Sequence, residues 1–317
     1  TQLDDAQQSQ ILSLRELVDA ELAAVSREMS TYMPDSEISR FNQLASGQCL
    51  HVSDNFLKVV QRAIEIGELS GGSFNALLAP LVERWGFGAA GAINTPLPDR
   101  AEIEYLLGLT SGTAISIGYA PSRLCKHIEG ASIDLSAIAK GHGVDRITAL
   151  LERSGYKSYL VDIGGELRVA GLNPRQDLWT LAIEQPRRDS PAGRGGILAT
   201  LRLTNRAVAT SGDYRNYYER DGVLYSHTVD PLTGYPVQHD LASVTVVHSE
   251  AMTADAWATA LLAAGPERAM ALVSEQQLAV MLVSRHQPGK TWQRAGQDPG
   301  DPYYWYSEAM QRYIALP

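Results

Sequence analysis

Asp255 and Thr259 stand four residues apart in the run Met252-Thr-Ala-Asp-Ala-Trp-Ala-Thr259. On a helix that spacing puts both side chains on one face. Ala251, Ala254 and Ala258 around them are small enough to let a ligand approach. Carboxylate, hydroxyl or carbonyl, and water are the oxygen ligands that magnesium takes; the plainer reading is that Asp255 caps the helix. His227 lies in Tyr225-Ser-His-Thr-Val-Asp-Pro231, a strand-like run ahead of an Asp-Pro turn. It is the best general-base candidate in the chain, because imidazole titrates near neutrality. A satisfied structural histidine is the alternative at that position.

Three further segments place polar groups beside glycine. Asp134-Leu-Ser-Ala-Ile-Ala-Lys140-Gly-His-Gly143 leads from an apolar residue into a helix start. Glycine lets an anion approach the backbone and a helix start attracts phosphate, with Lys140 as a point charge. Asp134 or Ser136 as a simple cap, beside a solvated lysine, explains the same residues equally well. Asp162-Ile-Gly-Gly-Glu166 reads as a hairpin turn, or as room for a flat ligand. Thr210-Ser-Gly-Asp-Tyr214 offers backbone N–H groups at a strand end. The sequence has no HExxH, P-loop, GxSxG or CxxC motif, and its seven histidines are scattered.

The elements that must position these residues change character along the chain. Ile11, Leu14, Val18, Leu22, Val25 and Met29 form one apolar stripe, so 8–30 reads as an amphipathic helix. A second helix is expected from about Asp35 or Ser36. A third starts at Ser53 and stops at Gly71-Gly72, and a fourth spans 136–153. Short runs rich in branched and aromatic residues then read as strands: 159–163, 167–170, 179–183, 197–203, 208–210, 243–247 and 278–283. One late helix, 254–264, interrupts them. Helices first and strands later imply an α+β fold in a single catalytic domain rather than a doubly wound sheet. The stretches 86–98, 186–196 and 287–302 are expected to be surface loops.

A net charge of −9 gives no basic face for nucleic acid. No apolar run approaches a membrane span. Cys49 and Cys125 are read as small buried hydrophobes, with a single bridge left open. The sequence opens at Thr1 rather than at methionine, so a removed leader or tether is expected before it.

Taken in order, these segments resemble the FAD:protein FMN transferases, the ApbE-like flavin transferases. The resemblance runs from Met29-Ser-Thr-Tyr-Met-Pro-Asp-Ser-Glu-Ile-Ser-Arg-Phe-Asn42 to the strand near Val283. It includes Gly72-Ser-Phe-Asn75, Trp85-Gly-Phe-Gly88, Asp134-Leu-Ser-Ala-Ile-Ala-Lys-Gly141, Asp162-Ile-Gly-Gly-Glu166, Thr210-Ser-Gly-Asp-Tyr214, His227-Thr-Val-Asp-Pro-Leu-Thr-Gly234 and Ala254-Asp-Ala-Trp-Ala-Thr259. It implies FAD contacts at Tyr32, Ser73, Phe74, Asn75, Asp134, Lys140 and Val229. It implies magnesium ligands at Asp255, Thr259 and the Ala137 carbonyl, and a base at His227. The implied reaction is magnesium-dependent transfer of FMN from FAD to a Thr or Ser hydroxyl, releasing AMP. A pyrophosphatase that gives FMN to water, or a non-catalytic FAD carrier, are the alternatives. The implied acceptors are flavoprotein subunits of membrane redox complexes. The implied location is periplasmic, tethered to the inner membrane as a lipoprotein. Two departures stand out: the Met-Gly-Thr strand usual at the family's start does not precede Thr1, and Asn75 stands where aspartate is common.

Overall fold

A computed structural model describes residues 4–88, 96–187, 196–214, 216–298 and 300–315. Much of the expected loops 86–98 and 186–196 lies outside the described residues. The first half is mainly helical: α1 (Asp5–Met29), α2 (Glu37–Asn42), α3 (Asp54–Leu69), α4 (Ala79–Arg84) and α5 (Arg100–Leu109). Serine caps start two of these helices as the sequence suggests. Ser36 Oγ accepts from the Ser39 amide, and Ser53 Oγ accepts from the Phe56 amide. Beyond α3, Gly71 and Gly72 take positive φ values of 58° and 84°, which a residue with a Cβ resists.

A small antiparallel sheet sits among these helices, with β1 (Cys49–His51), β2 (Ile115–Tyr119) and β3 (Ser122–Lys126) in the order β1-β3-β2. Its register sets Cys49 opposite Cys125, and the two form a disulfide. This corrects the reading of two buried thiols. Cys49 is exposed and Cys125 is half-buried; strand register, invisible in the sequence, brings them together.

The chain then runs through α6 (Ser136–Arg153), β4 (Tyr159–Ile163), β5 (Glu166–Ala170), β6 (Trp179–Glu184), β7 (Ile197–Leu203), β8 (Arg206–Gly212), β9 (Tyr217–Arg220) and β10 (Val223–Ser226). It closes with β11 (Leu241–His248), α7 (Ala251–Glu275), β12 (Ala279–Ser284), β13 (Gln293–Arg294), β14 (Tyr303–Tyr306), α8 (Glu308–Gln311) and β15 (Ile314–Ala315). Seven of these strands form one antiparallel sheet, ordered β13-β14-β12-β11-β8-β5-β4. The fold is α+β.

Both faces of that sheet are covered. On β12, Val280 and Leu282 face the cluster that holds α3 and α7, while Met281 and Val283 face the small sheet β15-β7-β6. This two-sided burial explains why β12 reads as a continuous apolar run rather than an alternating one. α7 is interrupted at Gly265, whose φ of 75° is not helical, with Pro266 following.

The disulfide spans 76 residues of chain. Closing so long a loop in the unfolded state stabilises the native one by about 2–4 kcal/mol. The variant Cys49→Ser should therefore lose that much unfolding free energy, read as a lower urea midpoint, with far-ultraviolet circular dichroism unchanged before the transition.

Candidate active site

The backbone ahead of α6 is fixed from outside the helix. Asn42 Nδ2 donates to the Ile133 carbonyl at 2.9 Å, and its Oδ1 accepts from the Ile133 amide at 2.8 Å. The Asp134 amide donates to the Ala76 carbonyl at 2.7 Å. Asp134 Oδ1 accepts from the Ser136 amide at 2.7 Å, which satisfies one first-turn donor although Leu135, not Asp134, holds the cap position. α6 therefore starts at a set point, with Ala137 and Lys140 on the wall of a cleft of about 790 Å³.

α7 crosses α6 with almost no clearance. A Cβ on Gly141 would stand 2.3 Å from the Ala251 carbonyl oxygen. Only glycine fits this crossing. The Gly141 amide donates to Asp255 Oδ2 at 3.0 Å. Asp145 caps α7 in return, accepting from the Ala251 and Met252 amides at 2.9 Å each. These bonds set Asp255 and Thr259 over the first turns of α6. Thr259 Oγ1 lies 3.1 Å from Ser211 Oγ on β8.

The turn Gly164-Gly165 joins β4 to β5 as a hairpin, and it also lines the cleft. The hairpin reading of that segment holds, and Gly164 lies on the cleft wall. Glu166, which opens β5, is buried with only 3% of its side chain exposed, and its Oε1 lies 2.6 Å from Lys140 Nζ. The sequence reading quoted Glu166 within a motif and gave it no role.

His227 follows β10. Its Nδ1 lies 3.0 Å from the Asn216 carbonyl, which can only accept. Nδ1 therefore carries the proton, and Nε2 of the neutral ring keeps its lone pair. The ring rests edge-on against Phe87, 6.4 Å away. Phe87 packs on Tyr218, Tyr218 stacks on Tyr225 and Tyr225 stacks on Trp85. Trp85 Nε1 donates to the Gly234 carbonyl at 2.8 Å. This aromatic ladder ties the Trp85-Gly-Phe-Gly88 segment to the histidine segment, a link absent from any local pattern.

Ser73, Phe74, Asn75, Asp134, Ala137, Lys140, His227, Val229, Asp255 and Thr259 all line the one cleft. Tyr32 does not. It is 78% exposed on the turn between α1 and α2 and stands outside the cleft lining. Asn75 lines the cleft with its amide already used: Nδ2 donates to the Thr110 carbonyl and Oδ1 accepts from the Leu77 amide. Val229 is 4% exposed and packs with Leu81, Trp85 and Ile103. A second cavity of about 490 Å³, bounded by His142, Asp145 and Arg146 on another face of α6, contains none of these residues.

The floor of the cleft carries a surplus of negative charge. Burial raises the Asp255 pKa to about 7, and the nearby Glu166 carboxylate adds to the shift. Burial also raises Glu166, against the pull of Lys140. Among the described residues, Glu166 Oε2 has no hydrogen-bond partner. Two buried carboxyl groups with a single lysine paired to one of them suit a cation, and the Ala137 carbonyl, Asp255 and Thr259 are oxygen donors of the kind that magnesium prefers. Among the described residues, no three His, Cys, Asp or Glu side chains converge to hold a metal. A site of this kind draws on a backbone carbonyl and a hydroxyl instead. His227 is lowered by burial, so it is neutral at pH 7.

The ApbE family model matches residues 2–282. The chain belongs to the ApbE family. The FAD:protein FMN transferase of Vibrio cholerae is 39% identical over 277 residues, covering 87% of this chain and 81% of that protein. The enzyme of the same name from Escherichia coli K12 is 35% identical over 283 residues, 88% of this chain and 79% of its own length. Among solved structures, the apo flavinyl transferase ApbE of Pseudomonas stutzeri superposes with a TM-score of 0.81 at 35% identity, covering 94% of this chain and 86% of that one. The Vibrio cholerae flavin transferase ApbE superposes equally well, covering 98% and 91%. Apart from the segment 29–42, the ApbE motifs seen in the sequence each contribute residues to the cleft.

The raised Asp255 carboxyl has a consequence for stability. Its protonated form is favoured in the fold, so its contribution is full below pH 4 and is lost as pH rises through about 7. In divalent-free buffer the melting temperature should fall between pH 5 and pH 8. The variant Asp255→Asn should flatten that slope; an unchanged slope would show that another group sets it.

Proposed function

We propose that this ApbE-family chain is an FAD:protein FMN transferase that passes the FMN half of FAD to a threonine or serine hydroxyl of an acceptor flavoprotein and releases AMP. The observation that carries this reading is the meeting, in one cleft, of a neutral histidine with its proton fixed on Nδ1 and two buried carboxyl groups, Glu166 paired with Lys140 and Asp255 bonded to the Gly141 amide. The cleft volume lies within the ~300–1,000 Å³ typical of small-molecule sites.

The FAD pyrophosphate is anionic and repels nucleophiles. Magnesium held by Asp255, Thr259 and the Ala137 carbonyl would neutralise phosphate charge and stabilise the leaving AMP. Lys140 adds a cation from the first turns of α6. The glycine-lined turn at Gly164 leaves backbone open to a flat ring system. The acceptor hydroxyl is a weak nucleophile near neutrality, and His227 Nε2 takes its proton as the oxygen attacks the FMN phosphorus. The bond from that phosphorus to the bridging oxygen breaks, and AMP leaves with that oxygen. Energy comes from the pyrophosphate itself, so no other source is needed.

The acceptor hydroxyl must come from an exposed, extended segment that enters the cleft. Flavoprotein subunits of membrane redox complexes are the acceptor class in this reading. Export to the periplasm belongs to the same reading. It is supported by the Cys49–Cys125 disulfide, since such bonds persist in oxidising compartments.

Two outcomes follow. His227→Ala should lower transfer by ~10²–10⁴-fold, as loss of a general base does, while FAD affinity stays near its starting value. The wild-type rate should fall only at pH below the ordinary histidine range, because burial depresses this imidazole. A variant losing affinity in step with rate would make His227 a binding residue. Second, incubation with FAD, magnesium and a candidate redox subunit should add the mass of FMN less water to the acceptor, through a bond that survives denaturation. EDTA should stop it. AMP formed at full rate with no adduct would favour hydrolysis; neither product, with FAD tightly held, would favour a carrier.

A further inference from the structure

Glu166 is the buried acid that the proposed chemistry leaves unused. Its side chain is 3% exposed, one oxygen meets Lys140 Nζ at 2.6 Å, and the other has no partner among the described residues. Leaving a buried carboxylate oxygen unmatched is costly. Asp255 beside it is also buried, and among the described residues its carboxylate accepts one hydrogen bond, from the Gly141 amide. Glu166 disfavours the charged form of Asp255, and the single lysine nearby, Lys140, with its side chain 47% exposed, pairs with Glu166 and reaches Asp255 only through its longer-range field. The uncompensated charge is localised and walled in by α6, α7 and the Gly164 turn. A monovalent balance is already met by the lysine; the remainder calls for another cation.

We propose that Glu166 is a determinant of cation affinity in this cleft. With Asp255 it forms the negative side of the pocket, while its Lys140 contact fixes the carboxylate in place. The inference rests on the reading of Asp255 as a metal ligand and adds a residue to it. Glu166 is a positioning and electrostatic residue here, acting on the ion without being assigned a direct bond to it.

The test uses Mn²⁺ alone, with no FAD and no turnover, binding being read by electron paramagnetic resonance on the full chain. Glu166→Gln keeps the shape and the Lys140 contact and removes the charge. It should weaken Mn²⁺ binding by ~10–100-fold, the range seen when groups around a ligand set are changed. It should also raise the melting temperature of the metal-free protein and shrink the increase that Mn²⁺ produces. Lys140→Gln leaves both carboxylates unanswered and should tighten Mn²⁺ binding. Asp255→Asn is the control for the underlying reading. If it binds Mn²⁺ as the wild type does, the metal assignment itself falls. If Asp255→Asn abolishes binding while Glu166→Gln leaves affinity unchanged, Glu166 has no such role. Should Glu166→Gln fail to fold, Lys140→Gln decides: unchanged or weaker binding overturns the inference.

Discussion

Everything in the cleft depends on how closely α7 can cross α6. The crossing is set by one missing side chain, at Gly141, against the Ala251 carbonyl. Contact that tight brings an amide of one helix within hydrogen-bond range of a carboxylate on the other. Asp255 accepts from α6, and Asp145 of α6 accepts from the start of α7. The exchange is reciprocal, so neither helix can slide without breaking these three bonds. Interiors packed this way have discrete arrangements rather than continuous ones.

The rest of the architecture serves that crossing. The seven-stranded sheet holds α7 on one face and is backed by the small sheet on the other, so β8 is fixed at a depth that lets Ser211 reach Thr259. From the far side, Arg146 of α6 pairs with Glu21 and Glu28 of α1. α6 is thus clamped on opposite sides, with its cleft-facing residues between. The unmatched charge at Glu166 and Asp255 persists because packing forbids relaxation there. This is the expected exception to mutual satisfaction of buried groups.

Much of this was legible in the residues. Serine caps placed α2 and α3, apolar periodicity placed α1, and glycine after Arg153 closed α6 where it ends. Ordered motifs identified ten of the cleft's residues. What stayed hidden was non-local. The β1–β3 register that joins Cys49 to Cys125 has no signal within either strand. The stack from Trp85 to His227 joins segments more than a hundred residues apart. Tyr32 stands apart from those ten: the turn after α1 leaves its side chain exposed and outside the cleft lining. Asn75 was read as a ligand contact, yet its amide builds the loop it sits on. Motif order finds the segments that meet; it does not say which atom of each is free.

The aromatic ladder gives the protein an optical property. Phe87 and Tyr218 line the cleft, and Trp85 sits two rings behind Tyr218 with its indole N–H fixed on a carbonyl. Indole emits at wavelengths that a flavin absorbs. A flavin lodged against the outer rungs would drain the excited state of Trp85 across two stacked tyrosine-class spacings, dimming its fluorescence as the cleft fills. The residues that hold the histidine in place thereby double as a gauge of occupancy, readable without a label.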